Sequence, residues 1–96
     1  MASVVVTIKV MPAGPDKDLG KIEELAKEKI RGFVDEKHKE DEIRVEQESI
    51  GFGLKAVKLT FVYDEGIGTS DKLEEELAQN EDIESVEAVD VRRAIG

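Results

Sequence analysis

Apolar and polar positions alternate from the start of the chain. Over residues 3–11, Val4, Val6, Ile8 and Val10 share one face, and Ser3, Thr7 and Lys9 share the other. A two-residue period is that of a β-strand. Val5 and Met11 fall on the second face, which is therefore expected to be partly covered. Pro12, Gly14 and Pro15 end the strand. The period then lengthens. Leu19, Ile22, Ala26, Lys29 or Ile30, and Phe33 recur at steps of three and four, with Leu25 beside them. This predicts a helix with one apolar stripe, capped by Asp16 or Asp18. Lys21, Glu24, Lys27, Glu28 and Arg31 take its wet face, and Val34 extends the stripe.

A charge run over residues 35–42 follows and holds the single histidine, His38, which is expected in a solvated loop. Residues 43–50 read as a second strand with weaker alternation. After Gly51-Phe52-Gly53, residues 54–63 give the clearest strand, because Val57, Leu59, Phe61 and Tyr63 share one face. Residues 64–68 form a loop, and Thr69 or Ser70 is placed to cap a short second helix with Leu73, Leu77 and Ala78 inside. In the last strand, residues 83–93, the parity slips: Val86 and Ala88 have one phase, Val89 and Val91 the other. Either a bulge or cover on both faces would reconcile them.

The order β-α-β-β-α-β is that of an α+β, ferredoxin-like sandwich, with a four-stranded antiparallel sheet and both helices on one face. At 96 residues, with no internal repeat or linker, the whole chain (1–96) is expected to form one domain. This architecture hosts unrelated activities, so function must be read from a site.

Composition narrows the classes. The chain has 14 basic and 23 acidic side chains, a formal net charge of −9. Such a field repels phosphate backbones and argues against direct nucleic-acid binding. The absence of cysteine excludes a thiolate site and a disulfide scaffold. No apolar run spans a bilayer and the start does not resemble a signal peptide, so a cytoplasmic protein is expected.

Little in the chain suggests bond chemistry. Glu74-Glu75-Glu76 lies on a helix, where neighbours diverge in direction, and reads as a solvated face. The Asp64–Gly68 stretch lacks the lysine and hydroxyl of a phosphate loop and the ligands of a calcium loop. No metal, cofactor or nucleotide of its own is expected. Two features remain: Phe52 between glycines, and Arg92-Arg93 closing the last strand of an acidic protein. Phe52 could plug the core or stand outward as a contact. The arginines could balance local acids or meet a partner's phosphate or carboxylate.

Several stretches together carry a resemblance: Val-Val-Thr-Ile-Lys-Val-Met-Pro at residues 5–12, Asp18-Leu19, Ile50-Gly51-Phe52-Gly53-Leu54-Lys55, Thr69, residues 73–77, and Val89-Asp90-Val91-Arg92-Arg93 within 86–93. In these the chain resembles the archaeal translation elongation factor 1-beta family. The resemblance implies a guanine-nucleotide exchange factor, not an enzyme of bond chemistry, whose partner is the GTPase elongation factor 1-alpha. It also implies a partner-binding site at Ile50, Gly51, Phe52 and Gly53, since the family's turn contacts the GTPase in eukaryotic relatives. The resemblance moves Phe52 towards partner contact. Arg92 and Arg93 are the candidates for positive charge at the second contact. Eukaryotic members reach the Mg2+ region with a next-to-last lysine; here that position is Ile95 and no lysine follows Lys72. The alternatives are a ferredoxin-like regulatory domain binding a small molecule such as an amino acid, and an acylphosphatase-like enzyme. The latter lacks its phosphate loop.

Overall fold

Four strands and two α-helices follow one another as expected in a computed structural model, which describes residues 2–94: β1 (Ser3–Pro12), α1 (Leu19–Phe33), β2 (Arg44–Gly51), β3 (Leu54–Asp64), α2 (Asp71–Ala78) and β4 (Ile83–Ala94). Single 3-10 turns, Glu36–His38 and Glu65–Ile67, sit in the connections after α1 and β3. The strands lie in the order β2-β3-β1-β4, and every neighbouring pair is antiparallel. The first and last strands are thus adjacent, with β3 on the other side of β1. This is the split β-α-β arrangement of a ferredoxin-like fold.

One face of the sheet carries the core. Val6, Ile8 and Val10 of β1 and Val57, Leu59, Phe61 and Tyr63 of β3 are buried against Ile22, Ala26 and Ile30 of α1 and Leu73 and Leu77 of α2. Both helices therefore cover the same side. The strand alternation and the helix stripes meet as period two against period 3.6. Ile30, not Lys29, completes the α1 stripe, and Phe33 sets its ring edge-on to Tyr63 with centroids 4.9 Å apart. The helix begins at Leu19, where Asp18 accepts the Lys21 N–H at 3.3 Å, so Asp18 is the cap.

The slip in β4 is a bulge. Thr7 pairs with Asp90 but Ile8 pairs with Ala88, which leaves Val89 as the extra residue. Glu84 is skipped in the same way between Met11 and Pro12. β4 is an edge strand, and residues 87–93 of it are exposed, so cover on both faces is excluded.

His38 corrects the expectation of a solvated loop. It is buried, 9% exposed, with Nδ1 2.8 Å from Asp35 Oδ1 and Nε2 3.4 Å from Ser3 Oγ. Asp35 Oδ1 also accepts the Asp64 N–H at 2.8 Å. A carboxylate only accepts, so Nδ1 is the donor, and the pair ties the α1–β2 connection to the ends of β1 and β3. The charge run hid a local Asp-x-x-His hydrogen bond that pulls the ring inward. No described helix is long and apolar enough to cross a membrane.

Candidate functional site

The β2–β3 turn is built by backbone angles that few residues adopt. Phe52 and Gly53 are its two central residues, with φ of 53° and 76°, and Gly51 before them has φ 92°. Positive φ at both central positions is the pattern of a type I′ hairpin turn, whose usual occupants are Asn-Gly, Asp-Gly or Gly-Gly. A register shift between Ser49 and Gly51 leaves Ile50 as an extra residue beside it. A bulky residue at positive φ is uncommon and strained. Phe52 recovers none of that cost by packing: its side chain is 99% exposed. The core-plug alternative is therefore excluded. Ile50 is half-buried, and Gly51 and Gly53 are exposed at the same tip. The turn approaches the β1–α1 connection, since a Cβ built on Gly53 would lie 3.8 Å from Pro15 Cβ.

Arg92 and Arg93 lie at the opposite end. Both Tyr63 and Arg93 pair with Val4, so Arg93 is level with Tyr63, nine residues along β3 from Leu54. At about 3.3 Å per residue this separates Phe52 from Arg93 by about 30 Å, along a molecule whose longest extent is 42 Å. The structure does not bring the candidate residues into one patch. The two arginines are also not a pair, because adjacent strand residues point to opposite faces. Arg92 is across from Val5 on the helix-free face and bonds Asp90 at 3.0 Å. Arg93 is on the helix side, where Nε and Nη2 each donate to Glu65 at 2.9 Å. That fork holds the Glu65 carboxyl below its usual range and raises the Arg93 guanidinium further. Ile95 lies outside the described residues.

Between the Arg93 end and α2 runs a groove of about 540 Å³, lined in part by Val4, Val6, Tyr63 and Val91. Sequence reasoning did not single it out, because its walls come from β1, β3, β4 and the start of α2. The Tyr63 hydroxyl donates to the Gly68 carbonyl at 2.8 Å. Burial, with Glu74 and Asp71 nearby, pushes its pKa up, so it stays a donor. Ser70 occupies the α2 cap position, but its hydroxyl donates to Glu74 Oε2 at 2.8 Å while Glu74 Oε1 accepts the Ala88 N–H at 3.1 Å. Asp71, Glu74 and Glu87 put three carboxylates on the groove, which disfavours the carboxylate of an amino-acid ligand. Among the described residues no three His, Cys, Asp or Glu side chains assemble as a metal site.

Comparisons with known proteins find relatives over nearly the whole chain. The profile of the family described as the EF-1 guanine nucleotide exchange domain matches residues 5–94. A protein of Methanosphaera stadtmanae named elongation factor 1-beta is 44% identical, over 97% of this chain and 98% of its own length. Its namesake in Methanobrevibacter smithii is 40% identical, over the same shares. That of Thermoplasma acidophilum is 30% identical, over 95% and 97%.

Proposed function

From a chain that belongs to the EF-1 guanine nucleotide exchange domain family, we propose a specific mode of action: it binds elongation factor 1-alpha with its two ends and expels GDP by competing for the GTPase's conformation. The chain is a guanine-nucleotide exchange factor of translation elongation, and its role is protein binding. The finer statements are the proposal: docking through Ile50, Gly51, Phe52 and Gly53 at one end and Arg92 and Arg93 at the other, no bond chemistry, no nucleotide or nucleic acid held by the factor, and a cytoplasmic setting.

The observation that carries the reading is Phe52, strained in backbone and free in water. Aromatic side chains supply much of the energy at protein interfaces, and strain kept at an exposed site points to function. The second end follows from length: with about 30 Å between Phe52 and Arg93 along the strands, one factor spans separate surfaces of the GTPase. A rigid sheet that holds both contacts selects the GTPase conformation in which they are the right distance apart. If that conformation binds GDP poorly, the coupling is reciprocal: the factor weakens GDP as much as GDP weakens the factor. Arg93 is paired with Glu65 on the helix side of β4, two residues along the strand from Val91, which lines the groove with Tyr63 and would receive a GTPase side chain.

The test is stopped-flow release of a fluorescent GDP from elongation factor 1-alpha. Micromolar amounts of this protein are expected to accelerate release in proportion to concentration, then saturate. Unchanged release across that range contradicts the proposal.

A further inference from the structure

The groove beside α2 is walled by two kinds of side chain. Val4, Val6, Tyr63 and Val91 come from three strands, and Val91 is 61% exposed there. Asp71 and Glu74 come from the first turn of α2. Glu74 is half-buried and fixed in place: Oε2 accepts the Ser70 hydroxyl at 2.8 Å, and Oε1 accepts the Ala88 N–H at 3.1 Å. Both donors are neutral, so they orient the carboxylate without cancelling its charge. Neither Asp71 nor Glu74 forms an ion pair among the described residues. The cations of the neighbouring elements are engaged or turned away. Arg93 is forked onto Glu65, Arg92 bonds Asp90 on the helix-free face, and Lys72 lines a separate groove between the two helices. The negative field extends to the strand side of the groove, where burial and then the charges of Glu74 and Asp71 raise the Tyr63 pKa.

We propose that this groove receives a lysine or arginine side chain of the docked GTPase. The inference rests on the exchange reading, whose interface at the Arg93 end it continues. Apolar walls alone would suit an apolar side chain, and carboxylates alone would suit any small cation. Together they fit a cation on an aliphatic stem, which packs its methylenes along the valines and carries its charge to the fixed carboxylate. The volume, about 540 Å³, admits such a side chain. An acidic side chain would meet like charges, which is a strong penalty at an interface. A neutral one would strip water from Glu74 and leave its charge unpaired. Asp71 and Glu74 thus select the partner's surface both by attraction and by rejection.

The double variant Asp71→Asn/Glu74→Gln keeps side-chain size and hydrogen-bonding groups while removing both charges. In stopped-flow GDP release its half-saturating concentration is expected to rise about tenfold, with the maximal rate unchanged and a weaker dependence on salt. Asp71 makes no side-chain hydrogen bond among the described residues and is exposed, so Asp71→Asn alone cannot disturb the fold through one; it should give about a threefold rise. A control, Glu24→Gln/Glu46→Gln, removes the same charge from exposed positions on α1 and β2 and should change the value by less than about twofold. If the native chain accelerates release but both groove variants match the control, the groove does not bind a cation and the exchange reading stands. If the native chain leaves release unchanged, the exchange reading itself fails, and this inference with it.

Discussion

A phenylalanine at φ 53° with 99% of its surface in water contributes neither burial nor favourable backbone geometry to the folded state. Glycine adopts such angles without a Cβ clash. Phe52→Gly is therefore expected to raise the unfolding free energy by about 0.5 kcal/mol, or roughly 3 °C in Tm for a chain of this size. Thermal unfolding checks this, and a loss of several degrees would mean that the ring packs after all. Arg92 and Arg93 make a second point at this scale. Adjacent in sequence, they serve opposite faces, so their replacements should not be equivalent. Arg93→Ala, on the helix side, is expected to lower the second-order rate of GDP release by about threefold to tenfold. Arg92→Ala should lower it less. Equal losses in the same stopped-flow assay would count against a contact on the helix side.

Between residue and molecule, the elements differ in how plainly the sequence announced them. β1, β3 and α1 were legible because each buries one continuous stripe with an undisturbed period, and Val57, Leu59, Phe61 and Tyr63 are all within the core. β4 was legible as a strand but not as an exposed edge, since periodicity reports which residues share a face and not what covers it. Its bulge could be read from the parity slip at Val89. His38 was misread because a run of charges resembles a solvated loop until the Asp35 contact is seen in space. The turn at Phe52 was visible from its glycines, whereas the direction of the ring needed the backbone angles. The groove could not be read, as it draws on four separate elements. Short α2 holds to the sheet by few large side chains, with Leu73 and Leu77 each 1% exposed. Leu77→Ala is expected to cost about 2–4 kcal/mol, measured as a lower urea midpoint. A cost under about 1 kcal/mol would indicate that α2 can collapse onto the gap.

Three carboxylates spread over the molecule, Asp35 and Glu65 tying distant segments and Glu48 bridging the β2–β3 hairpin, make its acid stability a whole-molecule property. Hydrogen bonding to Lys58, with the charges of Lys58 and Lys9, lowers the Glu48 carboxyl, and the hydrogen bonds from Arg93 lower Glu65. Partial burial pushes Asp35 up, but the Asp64 N–H and His38 outweigh it and leave it lowered. A carboxyl whose folded pKa is depressed contributes its stability above the unfolded value and loses it as pH falls through the folded one. The ordinary values are 3.8 for Asp35 and 4.5 for Glu48 and Glu65. The contribution of these three groups should thus be constant from neutral pH down to about 5 and decline below about 4.5. Urea midpoints measured from pH 7 to 3 check this, and the decline should shrink in Glu65→Gln.

At the same scale, the proposed docking uses the distance along the sheet between the Phe52 turn and the Arg93 end as a two-point gauge. The measurement that tests this account most directly is GDP release from elongation factor 1-alpha with native protein and with Phe52→Ala, each also melted alone. The account predicts that Phe52→Ala slows the second-order rate by about ten- to a hundredfold, with Tm unchanged or slightly higher. A Phe52→Ala protein that drives exchange at the native rate would contradict it.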